Sequence, residues 1–385
     1  MNRNIRQHKV SQTAWVMRVA IIGVWGAMTA LGQGTNSQLP AERTLREAAG
    51  KRLLVGCAVA TVDLQDAKLA TLIAEQFGCL TPEYELMPEH LVDADGKFTF
   101  ARGDAVVAFA EKHRMPVFGH MLVWHFVTRK WLFEGRDGKP LPCEKALENL
   151  KSYIVAVTGH YKGKIKAWDV VNEALSDKEG EYLRETPALR AIGGDYIEKA
   201  FEFARAADPD AELYYNDYNI EQPAKLAKTR RLIRDLKAKG VRIDAVGIQG
   251  HWLLDWPPAE MIGTGIEALA AEGVKVMITE LDVDPLPRDT SGADMAVTEK
   301  GANPYPDGLP SILQERLARR YGEIVAAVLK HPSVTMLGFW GTHDGRSWLN
   351  DFPVKGRTNH PLLFDRQCRP KPALDSVIKA LESGR

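Results

Sequence analysis

The chain has 385 residues, with 50 Lys and Arg balanced by 50 Asp and Glu, so its formal net charge is zero. That balance excludes a globally basic chain and points to neither a nucleic-acid nor an acidic partner. An apolar content of 45 % is ordinary for a globular chain, and the length allows one large domain or two small ones.

Arg3, Arg6, His8 and Lys9 form a basic start. An apolar stretch follows from Val19 to Leu31, with Arg18 before it, and Ala30-Leu31-Gly32 has the small-residue character of a cleavage site before Gln33. These features predict a cleaved export signal over residues 1–32, with an uncleaved anchor as the alternative reading. The stretch is short for a spanning helix. Residues 33–44 read as a polar extension and 45–385 as one domain. No later segment is apolar enough to suggest a span, so the expected product is exported, monomeric and not stably inserted in a membrane once the signal is removed.

From residue 45 onward, strand-like and helix-like segments alternate. The predicted strands are Leu53–Ala60, Phe77–Thr81, Pro116–His120, Ile165–Asn172, Glu212–Asn216, Ala245–Gln249, Lys275–Thr279 and Thr335–Trp340. Helical patterns are predicted at Asp63–Gln76, Gly103–His113, Glu144–Tyr161, Thr186–Ala207, Gln222–Lys239, Pro258–Glu272, Ile312–Lys330 and Pro372–Leu381. Pro187 and Pro258 suit a first helical turn, and Gly240 and Gly273 suit the left-handed stop after a helix. Eight strand–helix repeats predict a parallel sheet closed into a (β/α)8 barrel. The runner-up, an open doubly wound sheet, lacks a Gly-rich phosphate loop after its first strand. The segment Asp284–Leu309, rich in Pro, Gly, Asp and Asn, reads as a long loop after the seventh strand.

Four cysteines show no metal-ligand spacing; Cys57 and Cys79 sit in apolar runs and read as buried thiols, while Cys143 and Cys368 lie in polar segments. Polar residues recur where the predicted strands end: Glu83, His120 with Trp124 and His125, Asn172-Glu173, Asn216-Asp217-Tyr218, Gln249-Gly250-His251, Glu280-Leu281-Asp282 and Trp340-Gly341-Thr342. Singly, each has a bland explanation. His120 or His251 could be structural, Asp282 could cap a turn, and Trp340 could be core. In a barrel all of them reach one rim, where catalytic groups gather. Glu173 and Glu280 are then two carboxyls on one rim, the requirement for acid/base work on a glycosidic bond. The nine tryptophans fit either core packing or sugar stacking.

These motifs, in this order, resemble glycoside hydrolase family 10 endo-β-1,4-xylanases. The matching pieces are Gly119 to His125, Trp168 to Glu173, Asn216 to Asn219, Gly247 to His251, Ile278 to Asp282, Phe339-Trp340-Gly341, Ser347-Trp348, Leu363-Phe364-Asp365 and Lys371-Pro372-Ala373. The resemblance implies retaining hydrolysis of xylan or a related polysaccharide, with Glu173 as acid/base and Glu280 as nucleophile. It implies that His251 contacts the nucleophile, that Asp282 holds His251, and that Asn172 bonds a sugar 2-hydroxyl. Glu83, His120, Trp124, Gln249, Trp340 and Trp348 match positions lining the non-reducing side, and Tyr218 an aromatic contact on the other. No metal or organic cofactor is implied.

The pattern breaks in one region. Where the family has Asn and Lys after Glu83, this chain has Tyr84 and Met87. Where it has Gln and Pro after His125, this chain has Val127 and Arg129. Two readings follow. One is a xylanase of weaker or altered selectivity, with Tyr84 stacking on a sugar. The other is an enzyme for a decorated xylan or another β-glycan. A carbohydrate-binding relative with little turnover is the reading from a different functional class.

Overall fold

The computed structural model describes residues 43–93, 96–288, 293–294 and 300–384. The predicted signal and most of the polar extension lie outside the described residues, as does part of the loop after Asp284. Among the described residues there are ten strands: β1 (Leu54–Val59), β2 (Cys79–Pro82), β3 (Val117–Gly119), β4 (Val123–Trp124), β5 (Ile165–Asn172), β6 (Glu212–Asp217), β7 (Ala245–Ile248), β8 (His251–Leu253), β9 (Lys275–Asp284) and β10 (Val334–Phe339). Eight of them pair in parallel in the order β1-β2-β3-β5-β6-β7-β9-β10, and β10 pairs back onto β1, which closes the barrel. The predicted (β/α)8 architecture is the observed one.

One layer of the barrel interior has a contributor from each of these eight strands. Cys79, Phe118, Ala167, Tyr214, Ala245, Met277 and Met336 pack together, with Leu54 against them. Residues from eight strands can all meet only inside a closed cylinder. The larger apolar cluster lies between the strands and the surrounding helices, and includes Trp168, Phe201, Tyr321 and Phe339. Strands buried on both faces require near-continuous apolar runs, as the sequence shows.

β4 and β8 are short additions at the rim. β4 pairs with the end of β5, and β8 with the end of β9. The predicted seventh strand stops at Thr279, but β9 runs on to Asp284 because β8 supplies it with a partner there. Two predicted helices are each divided in the structure. Asp66 separates Thr61–Gln65 from Ala67–Gln76, and its carboxylate accepts from the backbone N–H of Lys68 and Leu69. Gly193, at φ 91°, ends Pro187–Ile192 before Tyr196–Ala207 begins. Gly240 and Gly273 are left-handed, as the helix stops require, whereas Pro258 is the residue before Ala259–Ala270 rather than its first turn. All four cysteines are free thiols, Cys57 and Cys79 buried, Cys143 exposed and Cys368 half-buried.

Candidate active site

Parallel strands deliver their C-terminal ends to one rim, and strand register aligns the polar residues there. Asn172 on β5 lies beside Asn216 on β6, which lies beside Gly247 on β7. His251 on β8 faces Asp282 on β9. Gly247 is required where it stands, because a Cβ at this position would collide with Asn216 Oδ1. The missing side chain lets the Asn216 amide cross the sheet toward Glu280.

A cleft of about 760 Å³, including its open mouth, occupies this rim. It is lined by Glu83, His120, Trp124, Asn172, Glu173, Gln249, His251, Glu280, Trp340 and Trp348, which are all but two of the residues to which the family resemblance gave a role. Asp282 stands behind His251. Tyr218 is the residue the structure does not bring to the cleft. Its ring is 2 % exposed, its hydroxyl donates to Asp177 and lies 2.5 Å from Arg184 Nη2, and Lys225 Nζ sits 3.9 Å above its ring. It packs inside an ionic cluster of Asp177, Arg184 and Lys225.

A continuous hydrogen-bonded chain connects the two central carboxyls. Gln249 Nε2 donates to Glu173 Oε1 at 3.1 Å and to Asn172 Oδ1 at 3.1 Å. Asn172 Nδ2 lies 3.4 Å from Glu173 Oε1. Asn216 Nδ2 donates to Asn172 Oδ1 at 3.2 Å and to Glu280 Oε1 at 2.7 Å, while Asn216 Oδ1 accepts from Thr279 Oγ1 at 2.7 Å. On the other side of Glu280, its Oε2 is 3.1 Å from His251 Nε2, and His251 Nδ1 is 3.0 Å from Asp282 Oδ1. Trp348 Nε1 donates to Asp282 Oδ2 at 2.7 Å, which completes the chain. His120 is held separately, its Nδ1 3.1 Å from Asp169 Oδ2 in the middle of β5.

The two glutamates have different electrostatic neighbours. Burial raises the Glu173 pKa to about 7, and the Asp217 carboxylate pushes the same way; Gln249, Trp124 and Arg184 oppose but do not cancel it. Burial alone would discharge His251. The carboxylates of Asp282 and Glu280 outweigh burial and raise it to about 9, so this ring is an imidazolium that donates from both nitrogens. Glu280 therefore faces a cation and an amide donor, while Glu173 faces apolar burial and a like charge. Glu83 is also raised to about 7, chiefly by burial.

Several contributors carried weak sequence signals. Asn216 is quoted in a matching motif, yet its bridging position depends on the cross-strand register. Asp169 and Asp217 interrupt or end apolar strands, a visible sign of a buried carboxylate with a partner. Arg184 carried none: its Nε donates to the Glu173 backbone oxygen at 3.1 Å, and its guanidinium reaches Asp177 at 2.8 Å and Asp294 at 3.1 Å. Glu173 itself sits at φ 56°, a left-handed conformation uncommon for a glutamate, and the Arg184 bond to its carbonyl holds that turn.

The family profile described as glycosyl hydrolase family 10 matches residues 44–380. The chain belongs to glycosyl hydrolase family 10. Among family 10 relatives, endo-1,4-beta-xylanase A of Xylanibacter ruminicola is 40 % identical over 347 residues, covering 88 % of this chain and 94 % of the relative. Beta-1,4-xylanase of Dictyoglomus thermophilum is 39 % identical over 337 residues, covering 87 % and 90 %. A solved family 10 endoxylanase retrieved from sugarcane soil metagenome superposes with a TM-score of 0.84 at 40 % identity, covering 87 % of this chain and 99 % of that one. Against the family 10 pattern, Tyr84, Met87 and Val127 line the cleft of this chain, whereas Arg129 turns away and donates to the Glu89 backbone oxygen.

Proposed function

We propose that this chain is an endo-β-1,4-xylanase that hydrolyses xylan with retention of configuration, Glu173 acting as acid/base and Glu280 as nucleophile. The carrying observation is the contrast between the carboxyls: Glu173, raised to about 7, holds a proton near neutrality, while Glu280 accepts from the His251 imidazolium and the Asn216 amide. Glu173 Oε1 is occupied by amide donors, which leaves Oε2 to carry the acid proton. In the first step that proton passes to the leaving glycosidic oxygen as Glu280 bonds to the anomeric carbon. In the second, the Glu173 carboxylate takes a proton from water, whose oxygen displaces Glu280 and releases the sugar. Asn172 lines the cleft beside Glu173, and in this reading it bonds a sugar hydroxyl next to the reacting carbon. Trp340 and Trp348 offer ring faces to a pyranose.

Replacing Glu280 with Ala should abolish hydrolysis of xylo-oligosaccharides, and surviving turnover would refute the assignment. Proton NMR of the first-formed product should show the β-anomer before mutarotation; α-anomer would overturn retention. A binding protein without turnover finds no supporting feature, since both carboxyls keep their partners. We also propose residues 1–32 as an export signal. N-terminal sequencing of the exported protein should then begin at Gln33.

A further inference from the structure

Part of the cleft is built from apolar groups, alongside the carboxyls of Glu83 and Glu89. Met87, from the turn after β2, packs with Met121, Trp124 and Val127 into a cluster of its own. Tyr84 and Phe126 extend this surface toward the mouth and are 36 % and 51 % exposed. Among the described residues no Lys or Arg lines the cleft. Of the nearby groups, the Tyr84 hydroxyl bonds Glu83, and Arg129 Nη2 bonds the Glu89 backbone oxygen. The amides of Asn172 and Gln249 and the imidazole of His251 line the rest of the cleft.

A free sugar hydroxyl pressed onto Met87 and Val127 gives up its water and finds no donor in return. An unmade bond of that kind costs roughly five- to a hundredfold in binding. An esterified hydroxyl finds no donor there either, but its methyl group packs against the thioether and isopropyl side chains, and that apolar burial offsets the loss. We propose that this wall makes the cleft select xylan whose sugar unit on Met87 and Val127 carries an acetyl-sized O-acyl ester over unsubstituted xylan. The proposal rests on the xylanase reading above. The ester is recognised and not cleaved, so it leaves with the product. Trp124 belongs both to the apolar cluster and to the surroundings of Glu173, which puts the wall beside the reacting bond.

The test is competition between plain and partially O-acetylated xylotetraose in one mixture, followed by mass spectrometry. The wild-type enzyme should consume the acetylated species at least about threefold faster and release products that retain the ester. Met87→Lys, which adds a cationic donor, should reverse the preference by about tenfold, and Val127→Gln, which adds a neutral donor, should move it the same way. Faster consumption of the plain substrate by the wild type overturns the proposal. So does an unchanged ratio in whichever of the two variants folds. Failure to hydrolyse either substrate overturns the xylanase reading instead.

Discussion

At the scale of single residues, Glu173 works through what surrounds it. Its raised pKa means that it is protonated below about pH 7 and loses its acid proton above. The kcat–pH profile should therefore fall on the alkaline side of pH 7, approaching tenfold per pH unit. Asp217 is the like charge that supports this shift, so Asp217→Asn should move the alkaline limb to lower pH. A profile that does not move would show that burial alone sets the acid. His251 donates a charge-assisted bond to Glu280, and bonds to charged groups are worth about 1.5–3 kcal/mol. His251→Ala should lower kcat about ten- to a hundredfold on xylo-oligosaccharides while leaving the fold intact by circular dichroism. Glu173 and Glu280 were legible because each ends an apolar run. Asn216 and Arg184 were less so, because their roles depend on neighbours far away in the chain. Tyr218 has the right local motif, yet Arg184, Asp177 and Lys225 draw its ring away from the cleft.

Among the elements, the close approach of β3 and β5 depends on Gly119. A Cβ there would collide with the Trp168 ring, which is fully buried between strand and helix. Gly119→Ala should destabilise the protein by about 1–3 kcal/mol, read as a lower midpoint in chemical denaturation; an unchanged midpoint would mean that the strands can move apart without loss. Strand–helix alternation was readable because buried strands are continuous apolar runs and helices repeat with a different period. The rim additions β4 and β8 escaped that reading: two or three residues carry no period, and their strand character comes from a partner edge. The divided helices follow the same rule. The Asp66 cap and the left-handed Gly193 act over a few residues and override a pattern that looks continuous.

For the whole molecule, buried ionisable groups set how stability depends on pH. Glu83, Glu173 and Glu221 are raised from 4.5 to about 7, chiefly by burial, so the stability linked to their protons is complete below pH 4.5 and lost as pH rises through 7. His251, raised from 6.5 to about 9 against burial by Asp282 and Glu280, contributes fully below pH 6.5 and loses its contribution as pH rises through 9. Glu272 moves the other way, to about 2, so its dependence lies at lower pH. Thermal denaturation should give a melting temperature that falls steadily from pH 5 to pH 9, and a rise over that interval would contradict these assignments. The sequence by itself determined the barrel and the two carboxyls on its rim, because apolar periodicity and strand-end chemistry are local. Only the tertiary structure decided the different electrostatic surroundings of those carboxyls, the burial of Tyr218 and the apolar cluster of Met87 and Val127. Each of these depends on which side chains from separate strands stand within a few ångströms of one another, a relation created when the sheet closes.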